Sequence, residues 1–597
     1  MLYSKGGEFR LYHYDVHLVI QWKDSGRELK VHAANYRKNL GWSADWRALM
    51  NNYDDYFKPG ITWPRRTSRL GFRFLPAGCV FGDKSPVILV KDGDKNPCSL
   101  SSYLAVLNTK SFATALNLMV GGSELAQSFE VGIVRNCPLP EFPSSNIENQ
   151  VYECFTAMQA LDSFDETSHE YVGFTGGLPL QESLTSTWNK ILEYRVLKAQ
   201  TVLKLQAHFE TLIAPQFGES AIDSQLSAED FNLGNLKMFV KDLVSYLIGC
   251  VFGRWDLRFL LNPTLLAVRT DPLAKLPPCS PAMLQSSDER LASSSNIASE
   301  EWFISKSGST TFPTQDSIQC STITNFEYPL SIAWDGILVD DSVHPTNITY
   351  HIREVMAVLW PSINGAMSEK IEREVCQILG VNDLRKYLFR PSAFFEDHLK
   401  RYSKSHRQAP IYWPLSTSSG SYTLWIYYHR LTSDTLFTAI NHYVDPKVAE
   451  TQRKINELEA QLMDVKGRDT TRQREERENI RTFLVELQSF RNELLRVAAL
   501  PYHPNLNDGV IINAAPLYRL FSLPKWAKDT KECWEKLQRG EYDWAHLAYT
   551  IWPDRVREKC RVDHSVAIAH NLENLYIEQQ TTVRGKGSQG KDKEDEE

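Results

Sequence analysis

The stretch FFEDHLKRYSKSHRQAPIYWPLSTSSGSYTLWIYYHR, residues 394–430, decides the fold of its region. Four cations fall within eight residues of its first half: Lys400, Arg401, Lys404 and Arg407. Aromatic residues dominate the second half: Tyr412, Trp413, Tyr422, Trp425, Tyr427 and Tyr428. The pattern predicts a basic helix end followed by two aromatic-rich core strands. Basic side chains also neutralise phosphates and aromatic faces stack on bases, so a nucleic-acid contact is the alternative interpretation.

The totals indicate a multidomain protein, because 597 residues are too many for one hydrophobic core. Hydrophobic content of 42% and charged content of 23% are ordinary for a globular protein. With a net charge of −7, nucleic-acid binding would need local basic patches. The ten cysteines include no C-x-x-C pair, which argues against a zinc or redox site. The start lacks a signal-peptide pattern and no apolar run approaches a membrane span, so we expect a cytoplasmic protein.

The pattern along the chain predicts an α+β fold of several domains. We expect a mixed α/β domain at 1–145, a helical spacer at 146–278, a Ser/Thr-rich linker at 279–330, a second α/β region with aromatic-rich strands at 331–445, a long helical hairpin at 446–500, a helical region at 501–583 and a disordered tail at 584–597. The hairpin has two interpretations, a partner-docking or DNA-straddling arm and an internal buttress, of which we favour the buttress.

Several elements can be predicted more closely. Segments 16–23 and 73–90 have the β-branched and aromatic bias of strands, and 101–122 has helical spacing that ends at a Gly-Gly pair. We predict another helix over 228–255, with Ser227 and Asp230 as its N-terminal cap. Lys241 and Arg254 then fall on the surface or the end of that helix.

The sequence offers little sign of catalytic chemistry. The glycine-rich run YVGFTGGLP (171–179) has no strand leading into it, so we interpret it as a loop and not a cofactor-binding turn. No G-x-x-x-x-G-K-[ST], H-E-x-x-H or G-x-S-x-G motif occurs. A DNA amino-methylating enzyme needs a polar residue, two prolines and an aromatic, yet Pro277-Pro278 stands between Leu276 and Cys279. Four carboxylates resemble nuclease metal ligands only loosely, and surface charge or capping explains them better: Glu372, Glu374, Glu396 and Asp397.

A set of blocks in one order resembles the region after the catalytic domain in large adenine-specific DNA methyltransferases of bacterial phage defence, the BREX and DISARM methylases and related single-chain restriction–modification enzymes. The blocks are YSKGGEFRLY (3–12), YFKPGITWPRRTSRLGFRFLPAGCVFGDKSPVI (56–88), LVSYLIGCVFGRWDLR (243–258), AWDGILVDD (333–341), YSKSHRQAPIYWPLSTSSGSYTLWIYYHRL (402–431), LNDGVIINAAPL (506–517) and YDWAHLAYTIWPDRVREKC (542–560). The second block is similar to the start of their target-recognition domain. The family's cofactor-binding turn and Asn-Pro-Pro-Tyr motif, which lie upstream of the first block, are not in this chain.

The resemblance implies the specificity half of such an enzyme, either one part of a split system or a truncated fragment. It implies double-stranded DNA and a catalytic methyltransferase subunit as partners, together with other phage-defence proteins. We expect no cofactor on this chain, and S-adenosylmethionine on the catalytic partner. The expected DNA-binding residues in the recognition-like block are Arg65, Arg66, Thr67, Arg69 and Arg73. Those in the basic part of the 394–430 stretch are Lys400, Arg401, Lys404, Ser405 and Arg407. Trp63 and Trp413 pack behind these loops or serve only as core aromatics.

Two alternatives from other classes stay open at this point. One is a protein-interaction scaffold that docks through the hairpin and contacts DNA weakly or not at all. The other is an unrecognised nuclease. Salt-sensitive duplex binding would favour the DNA-binding specificity half over the scaffold, and metal-dependent cleavage would favour the nuclease.

Overall fold

The computed structural model describes residues 1–90, 99–121, 127–140, 147–220, 224–265, 269–284, 329–362, 365–404, 407–464 and 471–577. Most of the predicted linker and the whole predicted tail lie outside this set. The strands are β1 Leu2–Ser4, β2 Gly60–Thr62, β3 Arg66–Thr67, β4 Arg73–Leu75, β5 Cys79–Phe81, β6 Val87–Leu89, β7 Gln127–Ser128, β8 Ile337–Val339, β9 Ser403–Lys404, β10 Arg407–Gln408, β11 Tyr412–Ser416 and β12 Thr423–Tyr427.

Helices outnumber strands, and the predicted α+β class is confirmed. The helices are α1 Lys23–Asn39, α2 Ser99–Leu107, α3 Lys110–Val120, α4 Val131–Asn136, α5 Ile147–Asp162, α6 Leu184–Ile213, α7 Leu236–Val251, α8 Leu257–Leu261, α9 Ile348–Leu359, α10 Ala366–Leu379, α11 Leu384–Phe389, α12 Phe394–Arg401, α13 Thr435–Thr438, α14 Asp445–Asp464, α15 Thr471–Ala499, α16 Val510–Ala514, α17 Pro524–Gln538, α18 His546–Ile551, α19 Pro553–Val562 and α20 His564–Ala569. None of the helices in the described ranges is long and apolar enough to cross a membrane.

The N-terminal core forms around a small antiparallel sheet in the order β4-β2-β6. Ile61, Phe72 and Phe74 from this part of the chain pack with buried residues of α2 and α5. Segment 73–90 is therefore three short strands, as its composition indicates. The predicted strand at 16–23 was wrong: only Val19 forms an isolated bridge, with Leu2, and Lys23 already begins α1.

The second core forms around the antiparallel sheet β11-β12-β8, in which every residue of β11 and β12 is buried. Helix α7 crosses this core with eleven buried residues between Phe239 and Val251. The prediction for α7 was too long at its start, because Ser227 and Asp230 cap a short 3₁₀ turn and Asn235 caps the helix itself. Gly253, with φ of +65°, stands two residues past the end of α7.

Helix α6 is shared by the two cores. Leu184, Trp188 and Ile191 in its first half pack in the second core, while Val202 and Phe209 in its second half pack in the N-terminal one. A single rigid element of 30 residues thus fixes how the two cores sit together. The segment expected to be a separate spacer contributes to both, and the domain boundaries themselves stay a prediction.

Helices α14 and α15 form the predicted antiparallel hairpin. Arg491 pairs with Asp445 near its base, and Arg481 pairs with Glu459 further out. Buried side chains near the end of α15 belong to the second core: Leu487, Phe490, Leu494 and Val497. The base of the hairpin is therefore a buttress of that core. Residues 465–470, where the break was predicted, lie outside the described ranges.

The connection between α5 and α6 is an acidic segment that binds cations from distant parts of the chain. Glu166 forms an ion pair with Arg401 at an N–O distance of 2.9 Å, and Asp165 forms one with Lys404 at 3.2 Å. Glu170 receives Arg269 at 2.8 Å. Burial disfavours ionisation of Asp165, but Lys404 and hydrogen bonds from Thr167 outweigh it and lower the pKa of this carboxyl. We call residues 162–170 the acidic connection.

The N-terminal segment is attached to the same connection. His169 Nδ1 lies 2.8 Å from Asp15 Oδ1, and His13 lies 3.4 Å from Asp162. From the other side, Ser245 of α7 donates a hydrogen bond to Glu166 at 3.0 Å. Ion pairs and hydrogen bonds at the acidic connection thus join the N-terminal segment, α7, and the basic stretch at α12 and β9.

Replacing Arg401 with alanine is expected to lower the free energy of unfolding by about 3–5 kcal/mol, because Glu166 would remain buried and charged without its cation. Lys400→Ala is the matched control, since Lys400 is 69% exposed and among the described residues pairs only with Glu396 of its own helix. Urea denaturation of both variants tests this. An equal, small effect at both positions would show that the Glu166 pair does not hold the fold.

The pair of His169 and Asp15 predicts a pH dependence of stability. Burial lowers the pKa of His169, but the Asp15 carboxylate outweighs it, and the pKa lies above its usual value. The pair therefore stabilises the fold below about pH 6.5, and this contribution is lost as the pH rises through the raised pKa.

The stability difference between wild type and His169→Asn should accordingly shrink between about pH 6 and pH 9. Urea denaturation at several pH values measures it, with His208→Asn on α6 as the control for an imidazole without an ion-pair partner among the described residues. A difference that stays constant across this range would contradict the assignment.

Candidate nucleic-acid interface

Cations from four separate parts of the sequence are brought to one region of the surface. Its members are Lys5, Arg65, Arg66, Lys84 and Arg407, which we call the basic face. Lys5 follows β1, Arg65 and Arg66 stand at the start of β3, Lys84 lies in the turn between β5 and β6, and Arg407 begins β10. The two basic clusters of the sequence therefore meet, although about 340 residues separate them.

Backbone contacts hold the first part of this face in place. The Arg65 amide donates to the Lys84 carbonyl at 3.1 Å, and the α-carbon of Gly6 lies so near that carbonyl that a β-carbon would come within 2.9 Å of it. Gly6 has φ of +52°, a conformation that glycine adopts readily. Residues 5–7, 65–66 and 83–84 are thus neighbours on one surface.

Strand β3 fixes the neighbouring loop. It pairs with β7 in antiparallel register, Arg66 with Ser128 and Thr67 with Gln127. The Thr67 hydroxyl donates to the Arg69 carbonyl at 2.7 Å, which closes a tight turn. Thr67 is therefore a turn-forming residue in this structure, and Arg66 stands exposed beside it.

The β9–β10 hairpin brings Arg407 to the same region. Burial raises the pKa of Tyr3, the Asp83 carboxylate adds to the increase, and Arg407 opposes it, so both charges lie near the Tyr3 hydroxyl. Asp83 in turn pairs with Arg65 at 3.1 Å. Arg407 therefore lies on the same side of the molecule as Tyr3 and Asp83.

The charge of the basic face is only partly neutralised. Arg65 is paired with Asp83 and Glu130. The other four cations are exposed and form no ion pair with a carboxylate in the described ranges: Lys5, Arg66, Lys84 and Arg407. Exposed, uncompensated cations on neighbouring loops suit a polyanion such as a nucleic-acid backbone.

Two of the expected DNA-binding residues are held inside the fold, Arg73 fully buried and Arg401 half-buried. Arg73 is 1% exposed and donates to the backbone carbonyls of Glu8 and Gly6, while its guanidinium stacks over Tyr14 at 4.1 Å. Arg401 is held by Glu166 and Asp242. Both guanidiniums are used for internal contacts, so we revise these two assignments to structural residues.

Most of the remaining expected residues have partners within the chain. Lys404 is bound to Asp165, and Arg69 is bound to Asp230 and lies over the ring of Phe9 at 3.9 Å. Lys400 is exposed on α12 and pairs with Glu396. Ser405 lies outside the described residues. Only Arg66 and Arg407 of the ten are exposed without a carboxylate partner among the described residues.

The aromatic residues of the opening stretch belong to the core. Trp413 and Trp425 are fully buried, and Tyr412 stacks against Phe252 of the chain segment after α7. Trp63 is also buried, and its indole donates to the Phe129 carbonyl at 3.0 Å. The core interpretation is confirmed for these side chains, which are not exposed for base stacking.

The carboxylates considered as metal ligands have structural partners. Glu372 pairs with Arg353, Glu374 accepts from the first amide of α6, and Asp397 pairs with Lys241. Within the described ranges no group of three or more metal-ligating side chains occurs. Arg254, expected on a helix surface, is instead buried, with its guanidinium over the Trp255 ring at 4.3 Å.

Glycines 173, 176 and 177 lie in the irregular connection between helices α5 and α6, each with positive φ. A nucleotide-binding turn follows a strand and opens a helix, which this connection does not. These glycines therefore do not fit a cofactor-binding turn.

Lys5 and Lys84 were missed by sequence reasoning. Each is an isolated lysine within a glycine-containing turn, KGG at 5–7 and GDK at 82–84. Neither lies in a basic run, so charge density gives no signal for them. Only the folding of these turns against Arg65 brings them together.

Comparison with known proteins adds two relatives. The chain is 22% identical over 544 residues to the adenine-specific methyltransferase BrxX of Escherichia coli O9:H4 (strain HS), covering 85% of this chain and 39% of that protein. It is 24% identical over 542 residues to the adenine-specific methyltransferase PglX of Lacticaseibacillus casei (strain Zhang), covering 86% and 38%. No family model matches the chain. The chain is thus similar over most of its length to adenine-specific methyltransferases, and spans under two-fifths of theirs.

Proposed function

We propose that this chain is the DNA-binding specificity portion of an adenine-specific DNA methyltransferase that serves phage defence or restriction–modification. It acts with a separate catalytic methyltransferase part, which binds S-adenosylmethionine and transfers the methyl group. The basic face is the observation that carries the proposal, because it presents four uncompensated cations on a chain whose net charge is −7.

The similarity supports the methyltransferase context. The two relatives are named adenine-specific methyltransferases, and the aligned portion is a minor part of each. The residues of this chain offer no cofactor-binding turn at the one glycine-rich connection considered. We propose a division of labour in which this chain contributes DNA contact and its partner contributes the chemistry.

Within the basic face, each cation has a suitable task. Lys5 and Lys84 stand on turns and would contact phosphates as point charges. Arg66 and Arg407 carry the planar guanidinium, which can bind a phosphate or a guanine edge in bidentate fashion. Arg65 joins them only if DNA displaces Asp83 or Glu130.

Replacing Arg66, Lys84 and Arg407 together with alanine should weaken duplex binding and flatten its salt dependence. Each phosphate that the protein no longer neutralises lowers the slope of log affinity against log salt by about 0.9, so the slope of the triple variant should be smaller by about 2–3. Fluorescence anisotropy with a labelled 30-base-pair duplex at several salt concentrations measures both quantities.

The matched control removes three exposed cations from other elements, Lys190 and Lys204 on α6 and Lys528 on α17. It changes the net charge equally. An equal loss of affinity in both triple variants would show a non-specific charge effect and would contradict the basic face. Thermal unfolding of each variant confirms that it remains folded.

The division of labour has its own test. The chain is co-expressed with a candidate methyltransferase from the same source, and transfer of a tritiated methyl group from S-adenosylmethionine to duplex DNA is measured. Transfer is expected only when both polypeptides are present. Transfer by the candidate alone, at the same rate and to the same sites, would contradict a specificity role for this chain.

A further inference from the structure

A second surface combines exposed aromatic rings with cations. Tyr36 lies near the end of helix α1 and Trp42 lies in the loop after the helix, with side chains 51% and 56% exposed. Leu40 and Leu49 are exposed beside them. We call Tyr36, Leu40, Trp42 and Leu49 the aromatic face. A tryptophan so exposed usually indicates a contact surface, because its large ring gains more than most side chains from leaving water.

Cations lie over the rings of this region. Arg37 lies 5.4 Å from the centre of the Trp42 ring. Lys30 lies 4.1 Å from the ring of Tyr53 and 4.9 Å from that of Trp46. Cations stacked on exposed rings are the combination that binds unpaired nucleotides, in which a base stacks on a ring and its phosphate meets the charge.

The charges around the aromatic face are not balanced. Of the nearby acids, Asp54 pairs with Arg47 and Asp55 pairs with Lys58, whereas Asp45 accepts a hydrogen bond from the neutral Arg47 amide, which offsets no charge. Three cations make no ion pair with a carboxylate in the described part of the chain: Lys30, Arg37 and Lys38. Lys30 and Arg37 are oriented by neutral oxygens instead, the Tyr53 hydroxyl at 2.8 Å and the Ser43 carbonyl at 2.9 Å.

The surface is anchored to the remainder of the fold. Tyr53 stacks on Trp22 with ring centres 5.9 Å apart and meets the edge of Trp46 at 5.1 Å. At the start of α1, Arg27 pairs with Glu573 and Lys23 donates to Asn571 at 2.7 Å. Helix α1, which carries Tyr36, and the neighbouring rings of Tyr53 and Trp46 are therefore attached to the remainder of the fold, and such a support reduces the entropy lost when a ligand binds.

We infer that the aromatic face binds an unpaired strand of DNA, with bases stacked on Trp42 and Tyr36 and phosphates on Arg37 and Lys38. This deepens the proposed function and rests on its DNA substrate, because enzymes that modify a base must take it out of the stack and so leave unpaired neighbours. Leucines alone would suit a protein partner equally well. The three uncompensated cations favour a polyanion.

The test compares two probes on the full chain. Fluorescence anisotropy is measured with a labelled 20-nucleotide oligo-dT and with a labelled 30-base-pair duplex, for wild type, Trp42→Ala, the pair Tyr36→Ala and Trp42→Ala, and the control Trp544→Ala. Trp544 is an exposed tryptophan in the C-terminal helical region. Trp42→Ala should bind the oligonucleotide about 5- to 100-fold more weakly, as expected for the loss of one base stack, and the double variant should bind it more weakly still, with duplex affinity changed less than twofold in both.

The outcomes separate this inference from the proposed function. Unchanged oligonucleotide binding in the double variant overturns the inference, and so does an equal loss with Trp544→Ala. If Trp42→Ala instead abolishes co-purification with a methyltransferase while oligonucleotide binding stays intact, the surface docks protein and the inference is also overturned. Duplex binding that depends on the basic face, without oligonucleotide binding, leaves the proposed function standing alone. Oligonucleotide binding that depends on the aromatic face, without duplex binding, would support this inference and contradict the role of the basic face.

Discussion

The pairing of the acidic connection with distant cations is the interaction on which the rest of the structure depends. Glu166 is 3% exposed, and Arg401 and Ser245 satisfy its oxygens, as a buried carboxyl group requires. After Asp162 the connection forms no helix or strand, so these side-chain contacts are what favour one conformation of it. Because its partners come from the N-terminal segment, α7 and α12, satisfying its charges places these elements relative to one another. Helix α6, which runs through both cores, maintains that placement.

This arrangement divides the basic side chains that follow Lys400 in the opening stretch into two groups. Arg401 and Lys404 face the acidic connection and are neutralised by it. Arg407, only three residues beyond Lys404, is exposed near Tyr3 and the basic face. The internal pairs therefore have a consequence for the surface, since they position the β9–β10 hairpin that carries Arg407.

The basic face and the aromatic face offer different contacts. The first consists of cations on short turns and suits the regular phosphates of a duplex, whereas the second consists of rings with cations over them and suits unstacked bases. Both lie in the N-terminal 84 residues except for Arg407. Within the described residues, the region from β8 to α20 supplies chiefly the buried core and the anchors for these surfaces. In the proposed function, the N-terminal region contacts DNA and the later helices support it.

The sequence by itself determined the class of the fold, the hairpin of α14 and α15, and the burial of β11 and β12, because hydrophobic spacing is a local property of the chain. It also singled out Arg66 and Arg407 as candidates. It could not separate them from Arg73 and Arg401, which have the same side chain in equally basic runs yet bind carbonyls and carboxylates of residues 6–8, 166 and 242. Nor could it find Lys5, Lys84 or the aromatic face. Whether a cation is neutralised depends on which distant groups the tertiary structure places within a few ångströms of it, since charge interaction falls with distance in space and not along the sequence.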